Sequence, residues 1–218
     1  MVTKKVAIIL SGCGVYDGAE INEVVLTLLA LEEHQVSYQC FAPDINMYHT
    51  VNHISGSPSQ EKRNVLIESA RIVRGNAQPI SECKVNDFSS LIIPGGFGVA
   101  KNLSDFAFNG GDLAINNDVL TILKAFKNAK KPVGYMCIAP VLLPLVYGAG
   151  VIVTIGNDKE TIAVIESMGG VHHVAGVGDI VVDTVNNVVT TPAYMLANSI
   201  IEAKSGIDKL VSQVVELS

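Results

Sequence analysis

Cys137 stands at the junction of two unlike stretches of chain. Before it runs Pro132-Val-Gly-Tyr-Met, short and apolar in the manner of a strand. After it comes Ile-Ala-Pro-Val-Leu-Leu, which reads as a helix start with Pro140 in its first turn. Such a junction exposes one side chain at a strand end and aims the free N–H groups of the next helix at it. A cysteine held there is favoured as thiolate and should be alkylated faster than Cys40 and Cys83, and the same N–H groups can hold an oxyanion. This is a nucleophile elbow with sulfur in place of oxygen. The other reading of a lone cysteine in an apolar run is a small buried hydrophobe. Asp17, Glu20 and Glu23 are the carboxylates able to serve such a thiol. Glu23 falls in the first turns of an expected helix, turned away from that helix's main apolar stripe. There a glutamate is either solvated or, if packed beside a thiol, able to hold a proton near neutral pH.

The elements that must bring these groups together alternate between apolar strands and helices, which implies an α/β fold with a mostly parallel sheet over residues 1–218 as one domain. Lys5 to Leu10 reads as a strand buried on both faces. Glu20 to Glu33 reads as a helix whose stripe is Ile21, Val24, Val25, Leu28 and Leu29, with Glu23, Leu26 and Ala30 opposite. Further strands are expected at 36–42, 91–94 and 151–155, with a hairpin at 180–183 and 188–190. Further helices are expected at 61–71, 119–130, 161–168 and 193–205, and Gly206 separates a last one over 207–215. Between strand and helix, residues 11–19, 94–98 and 137–139 form loops at strand carboxyl ends, the edge where open α/β sheets place their sites. Gly12, Cys13, Gly14, Gly95 and Phe97 should border the same site, with Cys13 as a second thiol or as a disulfide partner of Cys137.

Several classes are disfavoured. A net charge of -6 without a basic cluster argues against nucleic acid as a partner. Neither SGCGVYDG nor GGFG has phosphate-loop spacing, so no nucleotide cofactor is expected. The five histidines make no H-E-x-x-H and no metal site is expected, although His172 or His173 could approach Cys137 in the fold. Four dispersed cysteines suit a reducing compartment. MVTKKVAIIL lacks a continuous apolar export segment, and no run reaches transmembrane length, so a cytoplasmic protein without membrane association is expected. Low charge over so apolar a chain suggests a homo-oligomer, a dimer being the simplest.

The motifs GYMCIAP, IIPGGFG and GAEINEV resemble the ThiJ/PfpI superfamily. Together with SGCGVYDGAEI, CFAPD, NVLIESARI, TPAYMLA and SGIDKLV, they resemble within it the glyoxalase ElbB group of amidotransferase-like proteins over essentially the whole chain. The resemblance implies a flavodoxin-like three-layer sandwich akin to class I glutamine amidotransferases. It also implies that Cys137 is the nucleophile, Glu23 its partner, and the N–H groups of Gly96 and Ile138 the oxyanion donors. Many members carry a histidine on the strand after the elbow helix. Residues 153–156, Val-Thr-Ile-Gly, have none, which weakens a Cys-His triad and leaves the Cys-Glu pair intact. The implied activity is a glutathione-independent, cofactor-free glyoxalase that turns glyoxal, a small dicarbonyl substrate, into glycolate. Deglycase or amidohydrolase action on the same thiol, and a redox-sensing or partner-binding role for an oxidisable Cys137, are the alternatives.

Overall fold

The computed structural model describes residues 4–218; the chain start at 1–3, where the export-segment argument begins, lies outside the described residues. In chain order the elements are β1 (Lys5–Ile9), α1 (Ile21–Glu33), β2 (Ser37–Ala42), the hairpin β3 (Thr50–Asn52) and β4 (Ser57–Ser59), α2 (Val65–Ile72), β5 (Ala77–Pro79) and β6 (Ser90–Ile93). They continue with α3 (Phe106–Asn109), α4 (Asn117–Asn128), β7 (Val133–Met136), α5 (Leu143–Tyr147), β8 (Ile152–Val153), α6 (Lys159–Ser167) and β9 (Val171–His172). β10 (Val181–Asp183), β11 (Val188–Thr191) and α7 (Ile200–Leu217) complete the chain.

Seven strands form the central sheet in the order β10-β11-β7-β6-β1-β2-β5. Every pair is parallel except the β10–β11 hairpin. Because strand side chains alternate between faces, β1 sends Ala7 and Ile9 into one core with Phe41, Leu91, Ile93, Phe126 and Tyr135. Val6, Ile8 and Leu10 enter the other, with Val24, Leu31, Ile207, Leu210 and Val214 of α1 and α7. The result is a three-layer sandwich with a mostly parallel sheet at its centre. Strand order reverses between β1 and β6, so the loops after these two strands flank the crevice where such sheets bind ligands.

Three sequence expectations fail here for physical reasons. The first concerns α1, whose stripe points the wrong way. Ile21, Val25 and Leu29 are exposed, while Glu23, Val24, Leu26, Thr27, Ala30 and Leu31 are buried. Periodicity placed the boundary of the buried face by hydrophobicity, and a buried glutamate defeats that rule. The second is α7, a single helix through Gly206. A side chain there would lie 2.6 Å from Thr191 Oγ1 and from the Val177 carbonyl, so glycine permits close packing rather than a break. The third is the helix read at 61–71, which begins only at Val65. Asn64 caps it by accepting from the Ile67 N–H at 3.0 Å, and Asn64 and Met47 tie the preceding residues into the 44–64 loop. β5 and β9 are too short to have shown a pattern.

Candidate active site

Cys137 follows the last residue of β7 and has φ 59°, a left-handed conformation that a non-glycine residue adopts only under constraint. The constraint is visible on both sides. Its N–H donates to the Thr191 carbonyl at 3.0 Å, continuing the β7–β11 ladder, and the chain then turns at once into a four-residue 3₁₀ segment, Ala139–Leu142. The bend brings the thiol to the sheet edge beside the backbone N–H groups of Gly96 and Ile138, which favour its charged form. Cys137 therefore has the strained backbone expected of an elbow residue.

Glu23 reaches the same point from α1. Glu20 caps that helix, its Oε2 accepting from the Glu23 N–H at 2.7 Å, and its own N–H donates to the Gly95 carbonyl at 3.0 Å. These bonds fix the first turn of α1 against the loop after β6. The Glu23 side chain is fully buried and its two oxygens are held separately. Oε2 accepts from the Gly95 N–H at 2.7 Å and Oε1 from the Tyr194 N–H at 3.2 Å. It faces the Cys137 thiol as a hydrogen-bond partner. Gly95 is glycine because of this approach: a Cβ there would fall 2.8 Å from Glu23 Oε2 and 2.9 Å from Cys137 Sγ.

Burial pushes the Glu23 carboxyl up to about 7, and the neighbouring Glu20 adds to the rise against the opposing Tyr194, Gly95 and Cys137 hydrogen bonds. Burial likewise raises the Cys137 thiol well above its ordinary value, with Glu23 next in effect; the Gly96 and Ile138 N–H groups only partly offset this. The expectation of a standing thiolate is corrected by that balance. A 3₁₀ segment of four residues supplies little macrodipole, and Cys137 is only 7% exposed. The pair holds a proton at rest, with Glu23 the group poised to ionise near neutrality.

A cavity of about 360 Å³ opens onto the thiol. Cys137, Gly96, Ile138, Phe97, Phe106, Ala107, Tyr194 and Met195 are among the residues that line it. Gly12, Cys13 and Gly14 do not line it, contrary to expectation. Their loop is turned so that Cys13 feels Glu68, Arg71, Asp17 and Arg63 instead, and Gly14 lies under His53. All four cysteines are free, so no Cys13–Cys137 disulfide exists. His172 is engaged elsewhere, its Nε2 accepting from the Ile155 N–H at 3.1 Å, and neither His172 nor His173 lines the cavity. Among the described residues no group of three His, Cys, Asp or Glu side chains could hold a metal ion. Sequence reasoning missed the 158–161 and 193–195 walls. The one local signal was Pro192 before Ala193, whose φ of 44° turns Tyr194 toward Glu23.

No family model matches the chain. Two curated relatives match it at 43% identity over 224 residues and 98% of the chain. They are the rat (Rattus norvegicus) ES1 protein homolog, mitochondrial, covered to 84% of its length, and the human (Homo sapiens) glutamine amidotransferase-like class 1 domain-containing protein 3, mitochondrial, covered to 83%. Both names overturn the expectation of a cytoplasmic protein. That expectation rested on a missing apolar segment, which is not what a mitochondrial address requires. Among solved structures, an isoprenoid biosynthesis protein with an amidotransferase-like domain from Ehrlichia chaffeensis superposes with a TM-score of 0.92 at 40% identity, covering 98% of this chain and 99% of that one. A ThiJ/PfpI domain protein from Brachyspira murdochii, 13% identical, shares the fold with a TM-score of 0.60 over 99% of this chain and 98% of its own.

Proposed function

Because the chain belongs to the ES1 family of glutamine amidotransferase-like class 1 domain proteins, we propose that it is a thiol-dependent enzyme that isomerises and hydrates a dicarbonyl, glyoxal to glycolate in the simplest case. The observation that carries this reading is the fully buried Glu23 carboxyl beside the Cys137 thiol, its Oε2 and the sulfur lying 2.8 Å and 2.9 Å from where a side chain on Gly95 would begin, with burial raising that carboxyl to about 7. As Cys137 Sγ bonds to one aldehyde carbon, Glu23 takes the thiol proton and the carbonyl oxygen is held by the Gly96 and Ile138 N–H groups. Glu23 returns that proton to the oxygen, giving a hemithioacetal. Ionised again, it removes the C–H proton of the same carbon and delivers it to the neighbouring carbon. As the hydroxyl proton passes to the neighbouring oxygen, one carbon is oxidised to a thioester and the other reduced to an alcohol, without an outside redox partner. Water then releases glycolate and restores the thiol.

The test is intact-mass spectrometry of the reduced protein with glyoxal, beside an assay for glycolate. Product from wild type and none from Cys137→Ala is the expected result. No product from reduced wild type would remove the isomerase reading. A deglycase or amidohydrolase reading gains no support from the site: an amine leaving group needs an acid, and the histidine that would supply one is absent from residues 153–156.

A further inference from the structure

A polar cluster that the reaction above does not use stands behind one wall of the cavity. His53, in the turn of the β3–β4 hairpin, lays its ring on Tyr16 with centroids 4.9 Å apart. Its Nδ1 lies 3.0 Å from the Val51 carbonyl, which can only accept. Nδ1 therefore carries the hydrogen, and Nε2 of the neutral ring is an acceptor. That nitrogen accepts from the Tyr16 N–H at 3.2 Å. It also lies 3.9 Å from Asp17 Oδ1, in a side chain only 5% exposed. This oxygen is buried without a hydrogen-bond partner among the described residues, while Oδ2 accepts from the Val51 N–H at 2.6 Å. Gly14 leaves room for the arrangement: a Cβ there would fall 2.6 Å from His53 Nε2 and 3.1 Å from Asp17 Oδ1. A buried acceptor without a donor is costly, and the donor within reach of this one is a proton on His53.

The cluster reaches the cavity through the loop that it holds. Val15, next to Tyr16, lines the cavity with Phe97, and its carbonyl accepts from the Phe97 N–H at 2.8 Å. Lys101 Nζ donates to the Tyr16 carbonyl at 2.9 Å and stands over the Phe97 ring. We infer that His53 is a positioning residue for this wall. Neutral, it holds the Tyr16 N–H and keeps Val15 against Phe97. Protonated, its Nε2 can no longer accept; it donates to Asp17 Oδ1 instead and releases the Tyr16 N–H to solvent. Asp17 is the charged group that faces the ring from the 11–19 loop, and Lys101, beyond the Tyr16 carbonyl, comes from the segment after β6. The hairpin itself, residues 50–59, offers no other charge. The effect of His53 on turnover rests on the reaction proposed above; the exchange of its partners does not.

NMR of the isotope-labelled protein between pH 8 and pH 5.5 reads the exchange directly, beside kcat and KM for glyoxal over the same range. At pH 8 the His53 ring is expected as the Nδ1–H tautomer. On acidification the Tyr16 amide and Val15 methyl signals should follow the His53 titration curve. A loosened wall weakens binding rather than chemistry, so KM is expected to rise about threefold between pH 8 and pH 6. His53→Gln places an amide oxygen on the Tyr16 N–H and takes up no proton. It should keep the pH 8 KM within about twofold of wild type and abolish the rise, while the Glu23-dependent fall of kcat remains. His53→Phe keeps the stacking and loses the acceptor, so its KM should be raised at both ends of the range. An Nε2–H tautomer at pH 8, or a Tyr16 amide that ignores the His53 titration, overturns the exchange. An equal rise of KM in wild type and His53→Gln overturns the positioning role. If glyoxal is not consumed, the isomerase falls and the Val15 methyl signals decide on His53 alone. Titration in wild type and none in His53→Gln upholds the positioning role, and any other pattern overturns it as well.

Discussion

Cys137 and Cys13 both follow a strand of the same sheet and both sit among glycines, yet the protein treats them in opposite ways. At Cys137 the cysteine itself takes the left-handed conformation, φ 59°. In the other loop the flanking residues take it, Gly12 at 114° and Gly14 at 122°, and Cys13 is spared. A strained residue persists only where its surroundings over-determine it. At the elbow those surroundings are the Thr191 carbonyl, two N–H groups beside the sulfur, and Glu23. Cys13 is partly exposed, with Arg63 and Arg71 opposing Glu68 and Asp17 in its field. Position at a strand end therefore does not make a reactive thiol. On the proposed reading the proton-carrying partner does, together with the donors that await the oxygen.

The sharpest way to break the comparison is to remove each thiol in turn. Cys137→Ala should give neither glyoxal adduct nor product. Cys13→Ser should retain more than half of wild-type kcat/KM, measured in the same assay. A loss above tenfold for Cys13→Ser would return that residue to the site.

Glu23→Gln comes next in size. Loss of a positioned general base should lower kcat by at least about 10²-fold, roughly 3 kcal/mol. The hemithioacetal should still form and then accumulate as a mass adduct of Cys137. Both Glu23 oxygens accept from backbone donors, so the amide nitrogen of glutamine must face one of those N–H groups. That mismatch should cost about 1–3 kcal/mol in chemical denaturation. Adduct accumulation, which misfolding cannot produce, separates the two effects.

That detail shows where the sequence was legible and where it was not. The elbow was legible because strand, cysteine, Pro140 and apolar helix residues are contiguous. The alternation of apolar strands and helices likewise pointed to the parallel sheet. Glu23 was misplaced on α1 because what makes its burial tolerable comes from Gly95 and Tyr194, distant in sequence and invisible to a periodic pattern. The rest of the cavity wall was silent for a similar reason. Phe106, Ala107, Asp158 and Met195 converge from three separate segments, and none repeats a motif.

Alkylation reads the same contrast at smaller amplitude. Because the Cys137 thiol is raised and buried while Cys13 is partly exposed, iodoacetamide at pH 8 should label Cys13 first of the four. Removing the Glu23 charge lowers the barrier to ionising Cys137, so Glu23→Gln should speed its labelling several-fold and leave Cys13 unchanged. Peptide mapping over time checks both. Faster labelling of Cys137 than of Cys13 in wild type would mean a standing thiolate and reverse the assignment of the resting proton.

Glu20→Gln should have the smallest effect and the clearest sign. Gln keeps an oxygen to accept the Glu23 N–H at the cap, but it removes a like charge that helps hold Glu23 at about 7. The Glu23 carboxyl then ionises at lower pH, and the acid limb of kcat/KM moves down with it. Stability must follow the same shift. Glu23 in the fold keeps its proton up to about 7, whereas the unfolded chain releases it near the ordinary carboxyl value of 4.5. Across that window the folded state binds more protons, so wild type loses stability as pH rises, and the loss is complete only above 7. Lowering the folded value narrows the window from its upper end. Between pH 5 and pH 8 the unfolding free energy of Glu20→Gln, measured by urea titration, should therefore fall less than that of wild type, by an amount on the order of 1 kcal/mol. An unmoved acid limb, with an equal fall in both proteins, would mean that burial alone sets the Glu23 proton and that Glu20 serves only as the cap of α1.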